Sequence, residues 1–109
     1  MSKRLQTHQP FLQLLSRSSA KRRKTLLQQA TKEELMTLFE ICFNILYGNL
    51  PLTPHMFKKL KRQRHTLEYL ADKKVPHKVK KKVVQQKGGF IGTIASIALP
   101  LLASLLLKK

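Results

Sequence analysis

Acidic side chains are scarce in this 109-residue chain, which has five Asp and Glu residues against 22 Lys and Arg. The formal charge of +17 opposes a compact fold unless a polyanion or an anionic membrane surface balances it. Glu33 and Glu34 fit the start of a helix, and the other three acids can pair with Lys or Arg at helical spacing. No set of residues for acid–base catalysis remains, so we expect a binding protein and not an enzyme.

Cysteine is limited to Cys42, which excludes an internal disulfide and falls on an apolar helix face, where a packing role is expected. The four histidines are about ten or more residues apart and have no cysteine at zinc spacing, so no metal or cofactor is expected. Long apolar runs are missing near the amino terminus, which argues against a secretory signal peptide. Action in the cytoplasm or nucleus follows.

Strand-like alternation is also missing, and the apolar residues recur at helical spacing, so the sequence predicts an all-α fold. Thr31 and Glu34 have the spacing of a capping box, Gly48 fits a left-handed helix end, and Pro51 reinforces that stop. Between these signals, one helical face carries a regular apolar stripe: Leu35, Leu38, Phe39, Cys42, Ile45 and Leu46.

Thr53 and Pro54 signal the start of a second helix that runs to about Asp72 and packs on the first as an antiparallel hairpin. Pro76 either stops this helix or starts a third over residues 76–86, and residues 20–29 favour one more helix that braces the hairpin. Residues 19–86 are therefore predicted to form a basic helical hairpin or three-helix domain. Residues 1–18 are predicted to be a flexible basic arm with a short amphipathic turn.

Three basic clusters, at residues 17–24, 58–64 and 73–82, carry most of the charge. Convergence on one surface would engage around ten phosphates of double-stranded DNA without sequence selectivity. A solvated, solubilising surface is the alternative interpretation. The candidate DNA-binding residues are Lys21, Arg22, Arg23, Lys24, Lys58, Lys59, Lys61, Arg62, Arg64, Lys73, Lys74, Lys78, Lys80, Lys81 and Lys82.

Residues 87–109 are predicted to be a Gly-Gly hinge followed by a hydrophobic, membrane-active helix, because residues 90–107 carry no charged side chain. Such a segment could lie in the interface, insert obliquely or span, and packing back on the domain is disfavoured because it is apolar on all sides. The candidate membrane residues are Phe90, Ile91, Ile94, Ile97, Leu99, Pro100, Leu101, Leu102, Leu105, Leu106 and Leu107.

Gly88 and Gly89 mark the join between the basic part and the tail. Paired glycines can simply stop a helix and form a hinge. They also offer a side-chain-free backbone that a tightly closing protease cleft could accept. Both interpretations stay open.

A basic segment followed by Gly-Gly and a Leu/Ile/Ala/Pro-rich tail resembles the precursor of the adenovirus core protein X (mu) family. That resemblance implies DNA condensation by the basic part and release of the tail by a viral cysteine protease. The protease accepts Met, Ile, Leu, Asn or Gln, then any residue, then Gly-Gly, and Gln86-Lys87-Gly88-Gly89 before Phe90 fits this pattern. The chain departs from that family in being Lys-rich and in having well-signalled helices.

Residues 12–109 also resemble small proteins of Maverick/Polinton elements and adintoviruses, through Phe43-Asn44-Ile45-Leu46, Gly48-Asn49-Leu50-Pro51-Leu52 and Leu60-Lys61-Arg62. Those elements carry adenovirus-type protease and capsid genes, which the resemblance implies as partners. The expected function is a virion core protein precursor acting in the virion and in the host nucleus or cytoplasm. The rival hypothesis is a tail-anchored or pore-forming membrane protein whose basic domain faces the cytoplasmic leaflet.

Overall fold

The described part of the computed structural model, residues 3–48 and 52–107 with side chains through residue 100, contains helices and no strand, which confirms the all-α prediction. Its helices, in chain order, are α1 (Lys3–Thr7), α2 (Gln9–Arg17), α3 (Ala20–Gln29), α4 (Lys32–Leu46), α5 (Pro54–Lys61), α6 (Arg64–Ala71), α7 (His77–Gln86) and α8 (Gly88–Leu107).

Local capping signals set several of these boundaries. The Glu34 N–H donates to Thr31 Oγ1 at 3.1 Å and the Thr31 N–H donates to Glu34 Oε1 at 2.9 Å, so the capping box of α4 is confirmed. Gly48 follows α4 with φ of 70°, the left-handed conformation predicted for it. The Met56 N–H donates to Thr53 Oγ1 at 3.2 Å, which confirms the start of α5. Pro51 lies outside the described residues.

The second predicted helix is two helices in the structure. α5 ends at Lys61 and α6 begins at Arg64, with the Gln63 N–H donating to the Leu60 carbonyl at 2.9 Å. No proline or glycine marks this break, and the apolar spacing runs through it. α6, with Leu67 and Leu70 buried, is the part that packs on α4. The break therefore reflects tertiary packing, which overrides a continuous local pattern.

The amino-terminal segment differs from the predicted flexible arm. α1 and α2 occupy residues 3–17, and Leu5, Phe11, Leu12 and Leu15 are buried. α2 packs mainly on α8. The local sequence predicted only a short amphipathic turn and not this docking. A nine-residue helix is marginal in isolation and becomes stable only through its tertiary partner.

The carboxy-terminal segment also differs from the predicted hinge and separate tail. Gly88 and Gly89 are the first two residues of α8, and its first half lies among α2, α3, α4 and α7. Phe90, Ile91 and Ile94 are buried there. A helix that packs against several others needs only a narrow polar face, so residues 90–98, in which Thr93 and Ser96 are the polar side chains, fit a central core helix.

Helix α4 supplies a large share of the rest of the core, and the side chains of Leu35, Leu38 and Cys42 are fully buried. Burial raises the pKa of the Cys42 thiol to about 12, which keeps it protonated and unreactive in the folded chain. The packing role predicted for Cys42 is confirmed. Among the described helices, none is long and apolar enough to cross a membrane.

Candidate nucleic-acid interface

One basic groove runs between α3, α7 and the first residues of α8. Lys24 and Gln28 line it from α3, Lys82 and Gln86 line it from α7, and Gly88 with Gly89 forms its floor. Its volume is about 510 Å³. This groove brings Lys24 of the first basic cluster together with Lys82 of the third. The two lysines are more than fifty positions apart in the sequence.

A second basic groove, of about 540 Å³, lies between α5 and α8. Lys58, Lys59 and Arg62 line one wall, and Gly89 with Thr93 lines the other. The Thr53 cap and Pro54 at the first helical position begin α5, the helix that carries the basic wall of this groove.

Gly89 belongs to both grooves, so the two meet at the start of α8. Around this point stand five exposed basic side chains drawn from all three clusters: Lys24, Lys58, Lys59, Arg62 and Lys82. The ion pairs found within the described residues join Arg4 to Glu33 at 3.1 Å and Arg64 to Glu68 at 2.7 Å. None of the five groove bases is therefore neutralised by a described carboxylate.

The amino-terminal end of α8 adds a small positive potential to the same place. The Ile91 N–H donates to the Lys87 carbonyl at 3.0 Å, so the N–H groups before Ile91 belong to the unsatisfied first turn. A Cβ atom added at Gly88 or Gly89 would meet nothing within 4 Å, so this backbone stands open to the grooves. The helix dipole reinforces the charge of the surrounding lysines there.

Arg23, predicted to bind DNA, has a structural role instead. Its guanidinium donates to the carbonyl oxygens of Leu15 at 3.0 Å, Ser18 at 2.9 Å and Gly88 at 3.3 Å. These bonds join the end of α2, the turn before α3 and the start of α8. A guanidinium held by three backbone carbonyls has few donors left for phosphate.

Lys80, another predicted DNA contact, is only 6% exposed, and its ammonium group lies 5.0 Å from the centroid of the Phe39 ring. Lys73 is exposed, with its ammonium 5.0 Å from the Phe43 ring. Both residues line a cavity beside α4 that is separate from the two basic grooves. The third basic cluster, predicted to act as one unit, is thus divided in the structure. Lys73 and Lys80 line this cavity, and Lys82 lines the first basic groove.

The other candidate DNA-binding residues do not line the two grooves. Lys81 is half-buried, and Arg64 is engaged with Glu68 on the surface of α6. The remaining candidates are exposed at other positions of α3, α5 and α7 or in the turn after α6: Lys21, Arg22, Lys61, Lys74 and Lys78.

The predicted protease site lies in a folded segment. Gln86 and Gly89 are exposed and Gly88 is half-buried, whereas Phe90 is buried in the core. Gln86 ends α7 and Gly88 begins α8, so the backbone on both sides is helical. A protease that binds extended backbone would require the start of α8 to unwind first.

The predicted membrane residues differ in how far they are buried. Phe90, Ile91, Ile94 and Ile97 are buried in the core, Leu99 is half-buried, and Pro100 is exposed. Lipid contact by the buried residues would require α8 to leave its place in the core. The side chains of the others lie beyond the described residues: Leu101, Leu102, Leu105, Leu106 and Leu107.

Sequence reasoning missed the polar residues between the bases. Gln28 and Gln85 line the first groove, and His55 lines the second. A usable signal was the helical spacing of Gln28, which is four residues after Lys24. In the described part of the chain, no group of three or more His, Cys, Asp or Glu side chains could hold a metal ion.

Comparison with protein-family models, curated proteins and solved structures found no match to this chain.

Proposed function

We propose that this chain binds double-stranded DNA through phosphate contacts in the two basic grooves that meet at Gly89. The observation that supports the proposal best is the convergence there of five exposed basic side chains from three distant sequence clusters. None of the five forms an ion pair with a described carboxylate. Like charges brought together in this way repel one another, and a polyanion removes that repulsion.

Phosphate contact is the mechanism, and it is indifferent to base sequence. Five phosphates neutralised in the grooves predict a slope of about −4.5 in log affinity against log salt concentration. This is about half the slope expected for ten phosphates, because ten of the fifteen candidate residues, Arg23 and Lys80 among them, do not line the two grooves.

The test is a salt titration of the full-length chain on a short DNA duplex, followed by fluorescence anisotropy. A groove variant carries Lys58→Gln, Lys59→Gln and Arg62→Gln. Loss of three contacts should reduce the slope to about −2. Because all three side chains are exposed, the variant should keep the fold of the parent chain.

A matched control removes the same charge outside the two grooves, with Lys3→Gln, Lys32→Gln and Lys74→Gln. Its slope should stay within about half a unit of the parent value, since no groove contact is lost. Equal slopes for the two triple variants would show that net charge alone drives association, and would contradict a groove-centred site. Tighter binding to anionic vesicles than to DNA would favour the membrane protein hypothesis.

The biological setting of the proposal is a virion core, on the strength of the sequence resemblance to the adenovirus core protein X (mu) precursor and to small proteins of Maverick/Polinton elements. In that setting Gln86-Lys87-Gly88-Gly89 serves as the protease recognition sequence, with cleavage before Phe90. Intact mass measurement of the protein from particles tests this part separately. A species ending at Gly89 supports maturation, and recovery of only the uncut chain contradicts it.

A further inference from the structure

A separate cavity of about 530 Å³ lies beside α4, on a part of the molecule that the two basic grooves do not include. α4 supplies one wall, and the other side is built from α6, the turn after it and α7. The volume is in the range of small-molecule sites, which run from about 300 to 1,000 Å³.

Two aromatic rings and two ammonium groups line this cavity, and each ammonium contacts one of the rings. Phe39 and Phe43 are four residues apart, so their rings lie on the same face of α4. Lys80 stands over the Phe39 ring and Lys73 over the Phe43 ring, each with its ammonium nitrogen 5.0 Å from the ring centroid. Cation–π attraction holds both ammonium groups against an apolar wall.

Lys80 is the most informative of these residues because it is 94% buried and yet has no ion pair within the described part of the chain. Burial lowers its pKa, and the more distant Asp72 carboxylate only partly opposes this effect. Within the described part of the chain, no fully buried side-chain nitrogen or oxygen is without a hydrogen-bond partner. The Lys80 ammonium has no such partner there, so it keeps access to the cavity that it lines. A bound anion would supply the counter-charge that it lacks.

The surroundings of Lys80 are positive as well. Arg4, Lys32 and Lys73 also line the cavity, against Glu40 as the acidic member of the described lining. His77, whose ring meets Phe39 edge-on at 5.5 Å, has its pKa lowered by burial and by the charges of Lys32, Lys81 and Lys80. Arg4 is paired with Glu33, so the charges that favour an anion in this cavity are those of Lys32, Lys73 and Lys80, and Glu40 opposes them.

Apolar side chains determine what kind of anion would fit. Met36 and Leu70 extend the wall formed by the two phenylalanine rings. Inorganic phosphate would leave that wall uncovered. We propose that this cavity binds a small organic anion, with its acidic group beside Lys73 and Lys80 and its aryl or alkyl body against Phe39 and Phe43.

The test uses 1-anilinonaphthalene-8-sulfonate, an aryl anion whose fluorescence rises in apolar surroundings, with the full-length folded chain. Saturable binding at one site per chain is expected. The uncharged analogue N-phenyl-1-naphthylamine has the same aromatic body without the sulfonate. It should bind at least about tenfold more weakly, because it cannot pair with the ammonium groups.

Two variants locate the site. Lys73→Met should weaken binding of the sulfonate by about tenfold, and since Lys73 is exposed, this change does not threaten the fold. Lys80→Met should have an effect at least as large. Lys78→Met is the control, because Lys78 is exposed on α7 and does not line the cavity.

Several results would overturn the proposal. Equal affinity for the two probes would remove the role of the anionic group. An unchanged affinity in Lys73→Met, or an equal loss in Lys78→Met, would remove this cavity as the site. Loss of binding in the Lys58, Lys59 and Arg62 groove variant would place the probe in the DNA-binding grooves instead, and that outcome leaves the DNA proposal intact.

Discussion

Arg23 illustrates how one basic residue in a cationic run can differ in function from its neighbours. Lys21, Arg22 and Lys24 are exposed on α3, whereas the Arg23 guanidinium turns inward to three backbone carbonyls. Gly92 leaves room for the guanidinium, because a Cβ atom at residue 92 would lie 2.5 Å from Arg23 Cζ. The small residue on α8 and the long one on α3 therefore form a matched pair.

Gly92→Ala tests this pair. On helix propensity alone, alanine inside α8 would stabilise the fold by about 0.5–1 kcal/mol. Its methyl group must displace the guanidinium, and loss of those hydrogen bonds should make the change destabilising by about 1–3 kcal/mol. Chemical denaturation followed by circular dichroism measures the difference.

Two controls isolate the mechanism. Gly89→Ala, which has open space at Cβ, should be close to neutral. In an Arg23→Ala background the clash is gone, so Gly92→Ala should become stabilising. A Gly92→Ala effect of the same sign in both backgrounds would contradict the pairing.

At the scale of whole helices, the predictions that succeeded rest on local chemistry. The Thr31–Glu34 box, Gly48 and Thr53-Pro54 act within one turn, so sequence alone determines them. The break between α5 and α6 and the docking of α2 depend on partners far away in sequence. A lysine run likewise says nothing about which side chains turn inward, and so Lys80 was wrongly grouped with its exposed neighbours.

Helix α2 allows a direct test of docking against a flexible arm. Leu12 is fully buried, whereas Leu14 on the same helix is 46% exposed. Leu12→Ala should destabilise the fold by about 2–5 kcal/mol, because it removes core contacts and leaves a cavity. Leu14→Ala should cost less than about 1 kcal/mol. Thermal unfolding compares them, and equal small losses would indicate that α2 is not docked.

Across the whole molecule, α8 is both the predicted tail and a central part of the core. One narrow stripe of exposed or half-exposed positions runs along it through Gly89, Thr93, Ser96 and Pro100, at spacings of four, three and four, with the half-buried Gly88 and Leu99 next to its two ends. The small polar residues in that stripe were visible in the sequence. The sequence could not show whether these residues face solvent in a folded domain, because a helix apolar on its other sides fits either a lipid environment or the interior of a small protein.

Two truncations separate these roles of α8. A chain ending at Gly89 loses Phe90, Ile91 and Ile94, and burial of each contributes about 1.5–3 kcal/mol. Their combined loss approaches or exceeds the ~5 kcal/mol of a small domain, so this chain should lose its cooperative thermal transition. A chain ending at Pro100 keeps every described buried side chain and should still unfold cooperatively.

A chain ending at Gly89 that keeps the parent melting temperature would show that α8 is dispensable for the fold. Loss of the transition in both truncations would place essential packing beyond Pro100. In the expected case, a cut after Gly89 in the folded protein yields a nicked complex in which residues 90–98 stay docked without a covalent link.

Because the two basic grooves meet at Gly89, DNA bound in them would also protect the backbone at Gly89 from a protease. A DNA duplex lying across both grooves would shield the peptide bond that follows Gly89, and would also hold α5 and α7 against the first turn of α8. Under the proposed function, DNA binding and cleavage after Gly89 would then compete for the same few atoms. That competition would make unbound copies the first to be cut and DNA-bound copies the last.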